Sequence, residues 1–149
     1  MNKSFALFPL LVLSSNLVHA TGITIDGVLD EKEWQQAQLI DDFVTTSPYS
    51  LATPEYKTQV RMFSSEQGIY IGITNFQPQS SQLSPRSARD AAINADFNNI
   101  VIDFDNGGVE AYRFSVGNGG SLSDGTFSNE NSYSSEWNGV WYAKTSADE

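Results

Sequence analysis

The sequence contains no cysteine, one histidine (His19), and eight basic residues against 18 acidic ones. Without cysteine the chain forms no disulfide, so its core must hold the fold unaided or with a metal ion. His19 lies in a predicted signal peptide, so the mature chain lacks both imidazole and thiol. This excludes a serine or cysteine triad of the usual kind and a zinc site built on histidine or cysteine. It also disfavours a haem-binding domain, because Met62 alone cannot supply two axial ligands.

The shortage of basic residues gives the chain a formal net charge of −10. Nucleic-acid phosphates and anionic membrane surfaces are bound by basic faces, so neither is an expected partner. An acidic chain is compatible with calcium and with neutral, hydroxyl-rich ligands, although acidity by itself mainly provides solubility.

The sequence also lacks an unbroken apolar run of the roughly 20 residues that span a bilayer. Its N-terminus instead has the three parts of a secretory signal peptide: the basic Lys3, an apolar segment from Phe5 to Leu13, and Val18-His19-Ala20 as the cleavage site. We predict a signal peptide at residues 1–20 and one domain at residues 21–149. Removing 20 of the 149 residues leaves 129, enough for one core. The expected location is the periplasm, the outer membrane or the cell exterior.

The mature chain alternates between short β-type segments and turns rich in Gly, Pro, Ser and Asn, while Gly117 to Ser135 is predicted to be a long loop. Six or seven short strands with little helix predict an all-β fold, an antiparallel β-sandwich of immunoglobulin or jelly-roll type. The two predicted hairpins join Lys57–Phe63 to Ile69–Asn75 and Asn98–Asp105 to Val109–Val116, and further strands are predicted at Leu39–Val44 and Val140–Thr145.

The segment from Ile23 to Ala37 predicts a lid at one end of this sandwich. A short strand and an Asp26-Gly27 turn lead into a helix that Asp30 caps together with Glu33. Trp34 and Ala37 are three residues apart, so both face the core.

The amino-acid sequence of this lid resembles the opening of family 9 carbohydrate-binding modules: Ile23-x-Ile25-Asp26-Gly27-x-Leu29-Asp30-Glu31-x-x-Trp34-x-x-Ala37. Four later passages resemble the same family in the same order: Thr58-x-Val60 with Gly68–Ile73, Asp96–Asp103, Tyr112–Val116 with Gly120–Gly125, and Trp137–Trp141. The resemblance implies a β-sandwich, sugar binding and, in many members, structural calcium. In one bacterial subgroup it also implies a longer, outer-membrane-associated part after the module. Because the family's usual final strand has no match here, we expect a sandwich truncated at its C-terminus.

A sugar ring is recognised by an aromatic plane against its C–H face and by polar side chains at its hydroxyl edge. Trp137, Trp141, Tyr133 and Asn131 combine these groups in one segment and are the predicted carbohydrate contacts. Sugar-binding family members clamp the ligand between two tryptophans that are distant in sequence, yet this chain has none between Trp34 and Trp137. The aromatic residues available as a second plane are Tyr49, Tyr56, Phe76 and Phe97.

Three acidic residues around one hairpin turn, Asp103, Asp105 and Glu110, are the candidate calcium ligands, although no stretch has the spacing of an EF-hand loop. No carboxylate pair is placed about a cleft by the pattern, so the domain is not expected to be catalytic by itself. We predict a non-catalytic module that binds a polysaccharide or oligosaccharide, within a larger protein of polysaccharide catabolism whose other part is a glycoside hydrolase or another hydrolase. The alternative is a sugar-free structural or docking domain of an outer-membrane β-barrel protein.

Overall fold

The computed structural model describes residues 22–129 and 132–147, and the predicted signal peptide lies outside them. The described part is all-β, as predicted, with two antiparallel sheets and very little helix. The first sheet has the order β1-β2-β3 and the second the order β4-β5-β6-β7. The elements are helix α1 (Lys32–Gln36) and strands β1 (Gln38–Ile40), β2 (Thr58–Ser65), β3 (Gly68–Asn75), β4 (Phe97–Ile102), β5 (Glu110–Gly117), β6 (Leu122–Ser128) and β7 (Ser132–Ser134), with a short 3-10 helix at Gln79–Ser81.

The first sheet confirms the predicted hairpin of β2 and β3, whose register pairs Val60 with Ile73 and Met62 with Ile71. Since side chains alternate across a strand, these four lie on one face of the sheet. The lid covers the opposite face, where a Cβ at Gly72 would lie 2.7 Å from the Leu29 methyl groups. The lid therefore packs directly onto the backbone of β3.

The lid helix differs from the prediction at its start, because it begins at Lys32 and Asp30 does not cap it. Glu31 occupies the N-cap position, but its carboxylate accepts hydrogen bonds from the Thr24 amide and the Trp34 indole, both at 2.8 Å. The two bonds tie the turn before the helix to the core tryptophan. Trp34 is 5% exposed, which confirms the prediction that it is buried in the core.

The second sheet confirms the predicted hairpin of β4 and β5, but the prediction of a long loop from Gly117 to Ser135 was wrong. Strands β6 and β7 form inside that segment and extend the sheet. Its small residues have a packing role: a Cβ at Gly125 would collide with the Ser134 carbonyl oxygen and approach the Tyr133 hydroxyl to 2.7 Å. Gly125, one of the glycines that suggested a loop, is thus required for β6 and β7 to pair beneath the Tyr133 ring.

The predicted strand at Val140–Thr145 is also absent, since residues 135–147 form no strand. This segment is held by individual bonds instead. The Gly139 amide donates to the Asp124 carboxylate at 2.6 Å, and the Ser146 hydroxyl donates to the Gly27 carbonyl at 2.7 Å. The chain therefore returns to the lid without pairing with either sheet.

Asp124 on β6 is fully buried and organises the surrounding loops. Its carboxylate accepts two hydrogen bonds from Arg89, at 3.0 and 2.6 Å, in addition to the one from Gly139. The next residue of the same loop, Asp90, accepts from the Asp124 amide and donates its own amide to the Leu122 carbonyl. The loop containing Arg89 and Asp90 thus lies against the edge of β6 at Leu122 to Asp124, the part of this strand with which β7 does not pair.

Candidate functional site

A groove of about 930 Å³ opens where β3, an edge of the first sheet, approaches β4, an edge of the second. The Asn75 side chain on β3 donates to the Asn98 side chain on β4 at 3.1 Å and so bridges the two sheets across the groove. Apart from the lid residues Gly27, Val28 and Leu29 and the chain segment 145–147, its lining includes six primary amides: Asn75, Gln77, Gln79, Gln82, Asn98 and Asn118.

Hydrogen bonds among the lining residues fix the orientation of five of these six amides, all but Gln79. Gln77 donates from Nε2 to the Asp96 carboxylate, and Asn118 donates from Nδ2 to the Gln82 carbonyl oxygen, each at 3.1 Å. Gln82 in turn donates to the Gln77 backbone carbonyl at 3.0 Å. A primary amide has two N–H donors and one carbonyl acceptor, so these bonds use only part of the capacity of each group. The remaining donors and acceptors are available to a polar ligand.

Two phenylalanines supply apolar surface in the same groove. Phe76 follows β3 and is 53% exposed, and Phe97 begins β4 and is 37% exposed. The Phe76 amide donates to the Lys57 carbonyl at 2.9 Å, which holds its backbone at the end of the hairpin. Both residues are among the four aromatic side chains that the sequence offered as a second plane.

The predicted contacts Trp137 and Trp141 pack against the second sheet, outside the set of residues that line the groove. Trp137 meets Tyr112 edge to face at 4.8 Å between ring centroids, and both tryptophans meet Phe114 edge to face, at 5.7 and 5.4 Å. Both are only partly exposed. We call the side of the second sheet that they contact the Tyr112 face.

Tyr133 lies on the opposite side of the second sheet from the two tryptophans. Its ring packs against Phe127 and lies 4.8 Å from the guanidinium carbon of Arg113. Arg113 follows Tyr112 directly in β5, so the two side chains point to opposite faces. We call this side the Arg113 face. The structure therefore does not bring Tyr133 together with Trp137 and Trp141, and Asn131 lies outside the described residues.

The candidate calcium ligands lie around the turn between β4 and β5, and two of them bind the backbone of that turn. Asp103 accepts from the Gly108 amide at 2.8 Å and Asp105 from the Gly107 amide at 2.9 Å. The Gly108 amide, followed by Asp105, holds the pKa of Asp103 below its ordinary value of 3.8. Glu110 instead accepts from the Tyr112 hydroxyl at 3.5 Å. The described ranges contain no group of three acidic, His or Cys residues arranged to hold a metal ion, and calcium binding stays a prediction.

The amides of the groove were not among the residues predicted from the sequence. They are spread over more than forty positions, from Asn75 to Asn118, with no motif linking them. The sequence shows only that amides are frequent in the polar segment after β3. Their convergence on one groove depends on how β3 and β4 approach each other.

Comparisons with known proteins find no relative of this chain. The chain matches no protein-family model, no curated protein and no solved structure. Within residues 22–129 and 132–147, no helix is long and apolar enough to cross a membrane.

Proposed function

We propose that this domain is a non-catalytic carbohydrate-binding module of an exported protein that acts in polysaccharide catabolism. The observation that carries the proposal is the groove between β3 and β4, in which oriented amides stand beside two exposed phenylalanine rings. The sequence resemblance to family 9 carbohydrate-binding modules and the all-β fold support the same conclusion.

The chemistry of the groove suits a neutral sugar. Amide N–H and C=O groups match the mixed donors and acceptors of sugar hydroxyls, while Phe76 and Phe97 offer surface to the C–H face of the ring. Because five of the six amides are already held by hydrogen bonds within the lining, they lose little side-chain entropy when a ligand binds. A groove of about 930 Å³ lies at the upper end of ordinary small-molecule sites, which favours an oligosaccharide over a single sugar.

The same lining argues for binding without hydrolysis. Glycoside hydrolysis ordinarily needs two carboxyl groups about 5 to 9.5 Å apart across the bond to be cleaved. Among the described residues that line the groove, Asp96 is the one carboxylate, and it accepts hydrogen bonds from the Gln77 side chain and the Leu83 amide. Its place in the network makes it a support for the groove.

Titration calorimetry of the mature domain with neutral cello-, xylo- and manno-oligosaccharides tests the proposal. We expect saturable binding to at least one series and about a tenfold loss in Phe76→Ala, the equivalent of about 1.4 kcal/mol. Phe43→Ala is the matched control, because Phe43 is also exposed but does not line the groove. A flat titration in a domain that circular dichroism shows to be folded, or equal losses in both variants, would contradict the proposal.

A sugar-free docking domain is the second candidate, and the free sheet edges favour it. Within the described part of the chain, β3 and β4 each pair on one side only, so their outer backbone groups are open to an added strand. Hydrogen exchange separates the two functions. Docking predicts slow exchange at β3 and β4 in the full-length protein without sugar, whereas a sugar site predicts that protection appears only when an oligosaccharide is added.

A further inference from the structure

A second cavity, of about 350 Å³, lies on the Arg113 face of the second sheet. The sheet contributes Arg113, Ser123 and Tyr133, and the loop against the edge of β6 contributes Ser87 and residues 90–93. The Ser121 hydroxyl accepts a hydrogen bond from the Ser87 amide at 2.7 Å, which holds this loop in place. The volume is close to the lower limit of small-molecule sites and suits a single sugar ring.

Arg113 determines which kind of ligand this cavity can bind. Its guanidinium lies over the Tyr133 ring at 4.8 Å, and its buried Nε has no hydrogen-bond partner. Among residues 22–129 and 132–147, no carboxylate forms an ion pair with it. Arg89, nearby in the fold, is instead bonded to Asp124. A guanidinium stacked on an aromatic ring keeps its N–H edge free, and that edge matches a carboxylate in two parallel hydrogen bonds.

The polar groups around Arg113 favour an anion that also carries hydroxyls. Ser87 Oγ is buried and has no hydrogen-bond partner, although buried hydroxyls are normally satisfied. Ser123 and Ser135 add two further hydroxyls to the lining. The one acid in the lining, Asp90, is already bonded to the Asp124 amide and lies 3.7 Å from Arg89, which offsets its charge.

We propose that this cavity is a second binding site, which takes the carboxylate of a uronic acid unit on Arg113 and a ring hydroxyl on Ser87. Phe97 lines both this cavity and the groove, so the two sites adjoin. The anion specificity comes from Arg113 alone; that the anion is a sugar rests on the function proposed above. The ligand class is then an acidic polysaccharide, in which neutral units occupy the groove and a uronate occupies the cavity.

Calorimetry or NMR titration with two matched sugar pairs tests this inference: D-glucuronate against D-glucose, and D-galacturonate against D-galactose. Each pair differs only in a carboxylate replacing a hydroxymethyl group. We expect at least one uronate to bind about tenfold to a hundredfold more tightly than its neutral partner, the range for hydrogen bonds to a charged group. Acetate, which has the charge without the ring, should bind far more weakly.

Two variants locate the site. Arg113→Gln should abolish the uronate preference, while Lys32→Gln, which removes an exposed positive charge from the lid helix, should leave it unchanged. Ser87→Ala covers the case in which Arg113→Gln does not fold, because it deletes a hydroxyl without a partner and should weaken uronate binding severalfold at unchanged stability.

Each contrary outcome overturns a defined part of the inference. If acetate binds as tightly as the uronates, the cavity is an anion site that does not recognise a sugar ring. Uronate binding that survives in both variants would place the site elsewhere. Equal affinity within both sugar pairs, with neutral oligosaccharides still bound in the groove, would overturn the second site and leave the proposed function standing. No binding of any saccharide would overturn both.

Discussion

Replacement of Asp124 by asparagine is the sharpest test of the structural framework beside the cavity on the Arg113 face, because Asp124 holds the loop that carries Arg89 and Asp90. The Asp124 carboxylate is fully buried and accepts from Arg89 Nε at 3.0 Å, Arg89 Nη2 at 2.6 Å and the Gly139 amide at 2.6 Å. Asparagine has nearly the same shape but replaces one accepting oxygen by an NH₂ donor. Whichever way the amide turns, a donor then faces a donor, and Arg89 keeps only the more distant carboxylate of Asp90, 3.7 Å away, as a charged partner.

The expected cost follows from the burial of this ion pair. Removing one partner of a buried pair costs about 3–5 kcal/mol, because the other charge is left without compensation. Arg89 is partly exposed, so water takes over some of its solvation, and we expect about 3 kcal/mol. For a domain of this length each kcal/mol lowers the melting temperature by about 4 °C, so the variant should melt about 12 °C lower.

Thermal and urea denaturation followed by circular dichroism measures this difference. Asp26→Asn is the matched control: Asp26 is exposed and accepts only from the Val28 amide in a turn, a role that asparagine fills equally well. The double variant Arg89→Gln/Asp124→Asn should lose less than the sum of the two single changes, since the pair is already broken. A loss below about 0.5 kcal/mol in Asp124→Asn, within the range of ordinary surface substitutions, would refute the reasoning.

Three further predictions address the aromatic residues and the lid. Trp137→Phe should lower the free energy of unfolding by about 1–2 kcal/mol in urea denaturation while calorimetry shows oligosaccharide affinity within about twofold of the parent, because Trp137 packs on the sheet. Gly72→Ala should cost about 1–3 kcal/mol in the same denaturation assay, since its Cβ would press on the Leu29 methyl groups and shift the lid. The hydrogen bond from the Thr24 amide holds the pKa of Glu31 below its ordinary value of 4.5, so its stabilising contribution is present at neutral pH and is lost as the pH falls through the lowered pKa. The stability difference between the parent and Glu31→Gln should therefore be constant above about pH 5 and shrink below pH 4 in urea denaturation at a series of pH values.

The hairpins were predictable because each has a strong local signal. In β2 and β3, alternating or β-branched residues flank a short turn, and the observed register, with Ser65 opposite Gly68, places the reversal at that turn. Strands β6 and β7 have no such signal. Gly125 and the serines of these strands are typical of a loop, and the strands form because β5 and the Tyr133 ring provide tertiary partners. Local β propensity therefore accounts for β2 and β3, whereas tertiary packing accounts for β6 and β7.

The candidate site was less predictable than the fold. A cluster of aromatic and amide residues close in sequence suggested one contact surface, yet strand alternation separates Tyr133 from Trp137 and Trp141. The groove instead draws its amides from segments on either side of β4, such as Gln77 and Asn118. Contacts between residues so distant in sequence leave no periodic pattern. The only sign of this site in the sequence is therefore the high amide content of the segment after β3.

One of the two tryptophans that the sequence pattern assigned to sugar contact, Trp141, is linked by its contacts to the loop beside the cavity on the Arg113 face. Trp141 packs on Phe114 and lies 5.7 Å from the Arg89 guanidinium, and Arg89 holds Asp124. The loop that carries Arg89 also supplies Asp90 to the cavity on the Arg113 face. We therefore expect a change at Trp141 to loosen the loop on one side of that cavity and to leave the Asn75–Asn98 bridge across the groove in place. Loss of uronate binding with retained oligosaccharide binding in a Trp141 variant would mark the tryptophan as a positioning residue, whereas loss of both would indicate that it supports the domain as a whole.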